Sequence, residues 1–223
     1  MEKKIRIVTD STADISPEVA AEYGIDVLPL SVIVGDHVYR DGIDLTPSQF
    51  YPILAASPVL PTTSQVSPGQ FMQCFQRLVQ DGYEVISIHL SQGLSSTVET
   101  ARSIAQQVGQ GKVTVFDSQF LSLGQAFQVL EAAQMARAGH TVQQIIDRLD
   151  QIRAKTELLF TLDTLEYLRK GGRIGKVQAI LGQLLNLKPL IRVENGVYVS
   201  FGKVRSQAKA MEEFIHFVRD KVG

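Results

Sequence analysis

The stretch that decides the fold is VISIHLSQGLSSTVETARSIAQ, which runs from Val85 to Gln106. It opens with an apolar run typical of a buried strand and closes with a pattern typical of a helix. Between them, the segment from Ser91 to Thr97 is mostly small and polar and contains neither lysine nor an acidic residue. A buried strand that passes through a short polar loop into a helix is the repeating unit of a parallel α/β sheet.

The same order recurs along the first two thirds of the chain. The runs IRIVT (5–9), EVISIHL (84–90) and KVTVF (112–116) are each followed by small polar residues and then by a helical pattern. Ser-Pro or Thr-Pro pairs at positions 16, 46 and 67 predict helix starts, since they place a capping residue before a proline at the first helical position. The run DVLPLSVIV (26–34) is predicted to be one strand that turns at Gly35 and Asp36 into a hairpin.

The pattern changes from about residue 155. ELLFTL (157–162) predicts a strand, Asp163 with Glu166 predicts a short helix, and LIRVENGVYVS (190–200) predicts a β-hairpin around Asn195 and Gly196. Two further apolar stripes are typical of helices, and they consist of Val177, Ile180, Leu181, Leu184 and Leu185, and of Met211, Phe214, Ile215 and Val218. We therefore predict an α/β protein with a parallel-sheet N-terminal domain (1–154) and a second, smaller α/β domain (155–223) that contains a β-hairpin.

The composition of the chain argues against several classes of function. The chain has 223 residues, 44% of them hydrophobic, and a net charge of −1 from 22 basic and 23 acidic residues, which gives no electrostatic footprint for nucleic acid or an anionic membrane. No apolar run approaches the roughly 20 residues of a membrane helix, and the N-terminus passes directly into a strand rather than a signal peptide. One cysteine, Cys74, forms no internal disulfide, and none of the histidines has a metal-ligand spacing. We predict a cytoplasmic protein without a metal or other cofactor.

Three predicted strands end in loops that carry hydroxyl groups. These are TDST (9–12), LSQGLSST (90–97) and DSQ (117–119), and PTTSQ (61–65) is a candidate to join them. Ligands of a parallel sheet bind beyond the carboxyl ends of its strands, where helix N-termini point unpaired N–H groups. Hydroxyls and amides without a lysine suit a singly charged anion such as a carboxylate, whereas a polyphosphate normally requires a glycine-rich loop with a lysine.

Other interpretations stay open at this point. Serine and threonine after a strand are common helix caps. A serine hydrolase or acyl transferase would use Ser91 or Ser95, with His89 as a possible base, although GLSST ends in Thr97 and is therefore not the G-x-S-x-G elbow. A binding module for a polar anion such as a phosphosugar is the third alternative. His89 within an apolar strand and Cys74 on an amphipathic helix are each interpreted as core residues.

Seven motifs together resemble the DegV family, and the resemblance covers nearly the whole chain. In order they are VTDSTADIS, PTTSQVSPGQF, LSQGLSSTVETA, FDSQFLSLGQ, LDTLEYLRKGGRIGK, LLNLKPLI and GKVRS. The resemblance implies two α/β domains that enclose one long-chain fatty acid. It also implies a non-catalytic role as the fatty-acid-binding subunit of a bacterial fatty acid kinase. Such a subunit presents the acyl carboxylate to a separate ATP-using catalytic subunit, which makes acyl-phosphate for phospholipid synthesis.

The resemblance also suggests which residues bind. Thr63 in TSQ matches the hydroxyl that holds the carboxylate, the loop from Ser91 matches one that supplies a second hydroxyl and backbone N–H groups, and Arg173 in GGRI matches a residue at the carboxylate end or the partner-facing surface. The predicted ligand-binding residues are Thr63, Ser64, Ser91, Gln92, Gly93, Ser95, Ser118 and Arg173. The predicted contacts with a kinase subunit are Arg169, Lys170 and Lys176.

Two departures from the family pattern bear on this prediction. Where the family usually has SSGLSGT, Gln92 and Ser96 replace a serine and a glycine, so that Gln92 keeps its backbone N–H but lacks a hydroxyl. Family members are also usually longer, with a histidine near the ligand carboxylate in the additional part, and His216 does not match that position. The second domain is therefore expected to be shortened at its C-terminus.

Overall fold

The computed structural model describes residues 4–108, 111–183 and 187–222. The chain divides into two compact units, Met1–Thr156 and Glu157–Gly223. Each unit has its own sheets and helices, and the first unit holds most of the residues proposed above from the sequence.

A four-stranded parallel sheet organises the first unit. Its strands are β1 (Ile5–Asp10), β2 (Ile25–Leu28), β6 (Glu84–His89) and β7 (Val113–Asp117), in the order β2-β1-β6-β7. All three neighbouring pairs are parallel. The predicted parallel sheet is confirmed, and the carboxyl ends of β1, β6 and β7 lie side by side because these strands are neighbours.

Helices cover both faces of this sheet. One face packs on α1 (Pro17–Tyr23), α5 (Ser122–Arg137) and α6 (Val142–Lys155), and the other packs on α3 (Pro68–Gln80) and α4 (Thr97–Val108). Successive side chains of a strand point to opposite faces. In β1, Ile7 accordingly enters the first core and Val8 the second, and both are almost completely buried.

A small antiparallel sheet in the order β4-β3-β5 corrects one prediction. Its strands are β3 (Ser31–Val34), β4 (His37–Arg40) and β5 (Thr62–Ser64), with α2 (Pro47–Ala56) between β4 and β5. The β3–β4 hairpin is confirmed, but 26–34 is not one strand. Pro29 has no N–H for a ladder, so the chain leaves the parallel sheet after Leu28 and enters the small sheet at Ser31.

The second unit is built on an antiparallel sheet in the order β10-β9-β8. Its strands are β8 (Leu159–Thr161), β9 (Lys188–Glu194) and β10 (Val197–Val204). Asn195 and Gly196 have φ angles of 51° and 77°, as a two-residue type I′ turn requires, which confirms the predicted hairpin. α8 (Gln207–Val222) packs against β9 and β10.

Two sequence predictions in this unit change. The short helix α7 (Glu166–Lys170) begins after Leu165, and the Glu166 N–H donates to Thr164 Oγ1 at 3.1 Å. Asp163 instead pairs with Lys188, so it does not cap the helix. The predicted stripe from Val177 falls on a 3₁₀ helix (Gly175–Gln183), in which Val177 is fully buried. The side chains of Ile180, Leu181, Leu184 and Leu185 lie outside the described residues.

The predicted apolar stripe of α8 does not face the sheet throughout. Met211, Ile215 and Val218 are each about half exposed, whereas Ala210 is fully buried and the Phe217 ring packs edge-on against Phe201. Within the described residues, no helix is both long enough and apolar enough to span a membrane.

Candidate functional site

The loops that follow β1, β6 and β7 are joined at one edge of the parallel sheet. We refer to residues 10–13, 90–97 and 117–120 as the carboxyl edge. The Ser118 N–H donates to the His89 carbonyl at 3.1 Å, and the Ser91 N–H donates to the Phe120 carbonyl at 2.8 Å. These two hydrogen bonds continue the β6–β7 pairing beyond the strands, so the loops after β6 and β7 form one structure.

Ser91 is the centre of the loop after β6. It is almost completely buried, and its carbonyl accepts hydrogen bonds from the N–H groups of Leu94 and Ser95. Its Oγ accepts a hydrogen bond from the Gly93 N–H at 3.1 Å. The Gln92 N–H donates to Asp117 Oδ1 at 3.3 Å, while the residues Gln92 and Gly93 are themselves exposed. The loop is thus a fixed turn that presents Gln92 and Gly93 at the surface.

Ser95 lies where this turn meets α4. Its Oγ accepts a hydrogen bond from the Thr97 N–H at 3.3 Å and lies 2.9 Å from Thr97 Oγ1. The side chain therefore has a local role at the start of the helix, as the capping interpretation anticipated. A role in binding a ligand stays a prediction for this residue.

Ser118 lies inside the turn after β7. It is fully buried, and its Oγ both donates to the Phe120 carbonyl and accepts from the Phe120 N–H, each at 3.1 Å. Gln119 and Ser122 have φ angles of 57° and 52°, in the left-handed region that residues other than glycine rarely adopt. The Ser118 hydroxyl thus stabilises a tight turn, and its predicted contact with a ligand stays a prediction.

Thr63 and Ser64 lie on the small sheet, directly before a residue that contacts α4. Both are exposed on β5, where Thr63 pairs with Val32 of β3. One residue further along, Gln65 donates from Nε2 to Thr100 Oγ1 of α4 at 2.9 Å. The structure therefore brings the TTSQ segment next to the helix that begins at the end of the Ser91 loop.

A buried hydrogen-bonded chain that the sequence did not predict underlies this edge. Asp10, His89 and Ser87 have no exposed surface. His89 Nδ1 lies 2.9 Å from Asp10 Oδ2, and His89 Nε2 lies 2.6 Å from Ser87 Oγ. The interpretation of His89 as a core histidine is confirmed. The role of Asp10 was missed, because nothing in the sequence links it to a histidine 79 residues away.

The charge state of Asp10 follows from these contacts. Burial on its own raises the pKa of this carboxyl, but the hydrogen bond and charge attraction of His89, with donors from Thr12 and Leu90, more than offset that effect. The pKa of Asp10 is therefore lowered below its ordinary value. An ionised carboxylate is therefore buried within the carboxyl edge.

The serine–histidine–aspartate geometry does not form a hydrolase site. The serine in contact with His89 is Ser87, which lies within a central strand and has no exposed surface, so its Oγ cannot reach a substrate. Both ring nitrogens of His89 already have partners, Asp10 and Ser87, and are not available as a base for Ser91 or Ser95. Among the described residues, no group of histidine, cysteine or acidic side chains is suited to hold a metal ion.

The remaining predicted site residues belong to the second unit. Arg169, Lys170, Arg173 and Lys176 are all exposed. Lys170 forms an ion pair with Glu166 at 2.5 Å, and Arg173 donates to the Gly171 carbonyl at 2.7 Å. Arg169 and Lys170 end α7, Arg173 lies in the turn that follows it, and Lys176 lies on the 3₁₀ helix Gly175–Gln183.

Comparison with known families and proteins identifies the relatives of this chain. A family model described as "Uncharacterised protein, DegV family" matches residues 4–223. The chain belongs to the DegV family. A DegV domain-containing protein of Deinococcus radiodurans is 43% identical over 219 residues, which span 98% of this chain and 78% of that protein. A second DegV domain-containing protein, from Listeria monocytogenes, is 41% identical over 220 residues with the same coverage.

Three solved structures share the fold, and two of them are DegV proteins by name. A DegV family protein from Thermus thermophilus, described as fatty-acid-binding, superposes with a TM-score of 0.92 at 36% identity, over 98% of this chain and 78% of that one. DegV from Bacillus subtilis, described as a fatty acid binding protein, gives 0.89 at 34% identity with the same coverage. A stearic-acid-binding protein from Eubacterium ventriosum gives 0.89 at 28% identity, over 98% of this chain and 76% of that one.

Proposed function

We propose that this protein binds one long-chain fatty acid and holds the acid's carboxylate at the carboxyl edge. The observation that carries the proposal is the match, over 98% of the chain, to a DegV protein described as fatty-acid-binding. The chemistry of the edge supports it, since the DegV loops here offer hydroxyl and amide groups to an anion.

The charges around the edge favour a carboxylate over a phosphate. Residues 10–13, 90–97 and 117–120 contain no lysine or arginine, whereas Asp10 and Asp117 are buried among them. A dianionic phosphate would be repelled by the ionised Asp10. The two cations that contact these loops, Arg102 at Gln92 Oε1 (3.1 Å) and Arg153 at the Asp117 carbonyl (2.9 Å), are already paired with Glu99 and Asp150. A singly charged carboxylate meets less repulsion, and hydrogen bonds to a charged group contribute more than neutral ones.

Within this proposal, Thr63 is the principal side-chain donor. It is exposed on β5, and the Gln65–Thr100 hydrogen bond holds its strand beside α4. The exposed turn at Gln92 and Gly93 supplies polar groups from the other side. Ser64, Ser91, Ser95, Ser118 and Arg173 complete the proposed ligand-binding set.

We extend the proposal to a partner. The protein would present the carboxylate to the catalytic subunit of a fatty acid kinase, as its resemblance to such binding subunits implies. The exposed cations Arg169, Lys170 and Lys176 would contact that subunit, because charged rims accelerate association with an oppositely charged surface. Such a partner uses ATP, so we place the protein in the cytoplasm.

Titration of delipidated protein with labelled stearate tests the proposal. We expect a Kd in the micromolar range or below, which corresponds to a binding free energy of about −8 kcal/mol or stronger. Stearyl alcohol is the matched control, since it keeps the chain and lacks the charge, and it should bind more weakly. Absence of stearate binding would refute the proposal. A burst of product from an activated acyl ester, lost in Ser91→Ala or Ser95→Ala, would instead support the hydrolase.

A further inference from the structure

The Asp10 carboxylate joins three separate segments of the first unit. Oδ1 accepts hydrogen bonds from the N–H and the Oγ1 of Thr12, at 3.1 and 2.5 Å. Oδ2 lies 2.9 Å from His89 Nδ1, and it accepts from the Leu90 N–H at 3.0 Å and from Gln125 Nε2 at 3.3 Å. One buried side chain therefore connects the loop after β1, the loop after β6 and helix α5.

The hydrogen bond to Leu90 bears directly on the candidate site. The Leu90 N–H belongs to the peptide between His89 and Leu90, and Ser91 is the next residue along the chain. A carboxylate oxygen that accepts from this N–H and from the adjacent His89 ring fixes the direction in which the chain leaves β6. Because Ser91 anchors the turn that presents Gln92 and Gly93, that direction decides where the turn lies.

We propose that Asp10, through its contacts with His89 and the Leu90 N–H, is a positioning residue of the fatty-acid carboxylate site. It sets the position of the Ser91 turn without contacting the ligand, and this inference rests on the proposed function. Asp10 has no exposed surface, so it acts only through the groups that bind it.

Asparagine at position 10 cannot satisfy all the donors that the Asp10 carboxylate accepts from. Each carboxylate oxygen faces hydrogen-bond donors, Thr12 at Oδ1 and Leu90 with Gln125 at Oδ2. An asparagine amide must place its NH₂ group on one of these sides, where donor then faces donor. With the NH₂ group on the Oδ2 side, the Leu90 backbone has to move away and carries the Ser91 turn with it. With the NH₂ group on the Oδ1 side, Thr12 has to move, and His89 and Leu90 are left with a neutral acceptor, which holds them less strongly than a carboxylate does.

The experiment compares stearate binding and unfolding in full-length, delipidated parent, Asp10→Asn and two controls. Asp26→Asn removes a carboxylate of β2 that binds Arg6 of β1 at 2.7 Å and Arg77 of α3 at 2.6 Å, and all three residues lie outside the carboxyl-edge loops. Ser87→Ala removes the partner of His89 on the side away from Asp10. We expect Asp10→Asn to raise the Kd at least tenfold, while both controls lose stability and keep the Kd within about twofold of the parent.

Two variants of His89 provide an alternative test of the positioning role if Asp10→Asn does not fold. The amide of asparagine can replace the Nδ1 donor toward Asp10, whereas the longer glutamine reaches the Nε2 side toward Ser87. Both lose the edge-on packing of the imidazole against Phe71. We expect His89→Gln to weaken stearate binding several-fold more than His89→Asn.

Each outcome separates the two proposals. If the parent binds stearate and Asp10→Asn binds equally well, the positioning role is overturned while the proposed function stands. The positioning role is also overturned if affinity falls in proportion to stability across Asp10→Asn, Asp26→Asn and Ser87→Ala. It is likewise overturned if His89→Gln and His89→Asn lose the same affinity. A parent that does not bind stearate overturns both.

Discussion

Gln65 donates a hydrogen bond from its Nε2 to Thr100 Oγ1 at 2.9 Å. The bond joins the residue after β5, in the small sheet, to α4, which packs on the parallel sheet. The two residues are 35 positions apart, and each follows a polar segment that the sequence singles out as part of a ligand site. Gln65 comes directly after Thr63 and Ser64, and Thr100 lies in the first turn of the helix that follows the Ser91 turn. This contact holds the residue after Thr63 and Ser64 against the helix that follows the Ser91 turn.

Thr63→Val is expected to weaken stearate binding while the fold is kept. The change preserves side-chain shape and removes one hydroxyl, and a hydrogen bond to a charged group contributes about 1.5–3 kcal/mol. Because Thr63 is exposed, the free energy of unfolding should change little. Titration with labelled stearate measures the affinity, and a thermal melt measures the stability.

Thr62→Val is the matched control for this variant. Thr62 is also exposed on β5, but it pairs with Ile33 rather than Val32 and is not part of the proposed ligand-binding set. Its affinity for stearate should equal that of the parent. Equal affinity in Thr63→Val as well would mean that the carboxylate is held elsewhere.

The single cysteine provides a test of the core. Cys74 lies on α3, is 6% exposed and packs with Phe71, Phe75 and Val66. Burial, and after it the charge of Asp26, raises the pKa of this thiol from 9.0 to about 11, so at pH 8 it forms about a hundredfold less thiolate than an ordinary cysteine. We expect very slow reaction with a chromogenic disulfide in the native protein and rapid reaction in denaturant. Rapid labelling of the native protein would contradict the packing described for α3.

The alternation of strand, polar loop and helix could be predicted from the sequence because it depends on local residue patterns. The apolar runs of β6 and β7 and the Ser-Pro pairs at positions 16 and 67 lie within a few residues of the elements that they define, and Ser16 and Ser67 each cap a helix in the structure. The hairpin at Asn195 and Gly196 is equally local, since the turn type demands those residues.

Features that depend on partners far away in the sequence could not be predicted from the sequence. Asp10 looked like an ordinary polar residue after a strand, and only the fold brings it to His89 and Gln125. Asp163 fits a helix-capping pattern, but in the structure it forms an ion pair with Lys188, which is 25 residues further along the chain. In the candidate site, the hydroxyl groups were found from their types, whereas the hydrogen bonds that already engage Ser118 depend on turn geometry.

The Asp10 carboxyl is expected to make stability depend on pH in the acid range. Its pKa in the folded protein is lowered below the ordinary value of 3.8, so ionised Asp10 favours the folded state. This contribution is fully present above about pH 4, near the pKa of an unfolded aspartate, and is lost as the pH falls through the lower folded pKa. The difference in unfolding free energy between parent and Asp10→Asn should therefore be constant above about pH 5 and shrink below pH 4. Urea titrations across this range measure it, and a difference that grew on acidification would contradict the lowered pKa.

The last prediction concerns the partner surface. Arg169 and Lys170 are exposed at the end of α7, and Arg173 and Lys176 follow within six residues. We expect Arg169→Glu combined with Lys170→Glu to lower the rate of acyl-phosphate formation with a cognate fatty acid kinase subunit, while stearate affinity stays at the parent level. Reversal of charges at a rim mainly slows association, so the defect should be largest at low salt and decrease as the ionic strength rises. Arg173 is left unchanged because it belongs to the proposed ligand-binding set.

A matched double variant on α8 controls for the change in net charge. Lys209 forms an ion pair with Glu212 one turn away, much as Lys170 does with Glu166, and Arg219 is exposed on the same helix. Lys209→Glu with Arg219→Glu lowers the net charge by the same four units, so it should reduce the kinase reaction less if the partner contacts α7. Equal reduction in both double variants would indicate a general charge effect, and unchanged activity in Arg169→Glu/Lys170→Glu at low salt would mean that the partner binds another surface. If the parent itself supports no acyl-phosphate formation although it binds stearate, the chain binds fatty acid without serving that kinase.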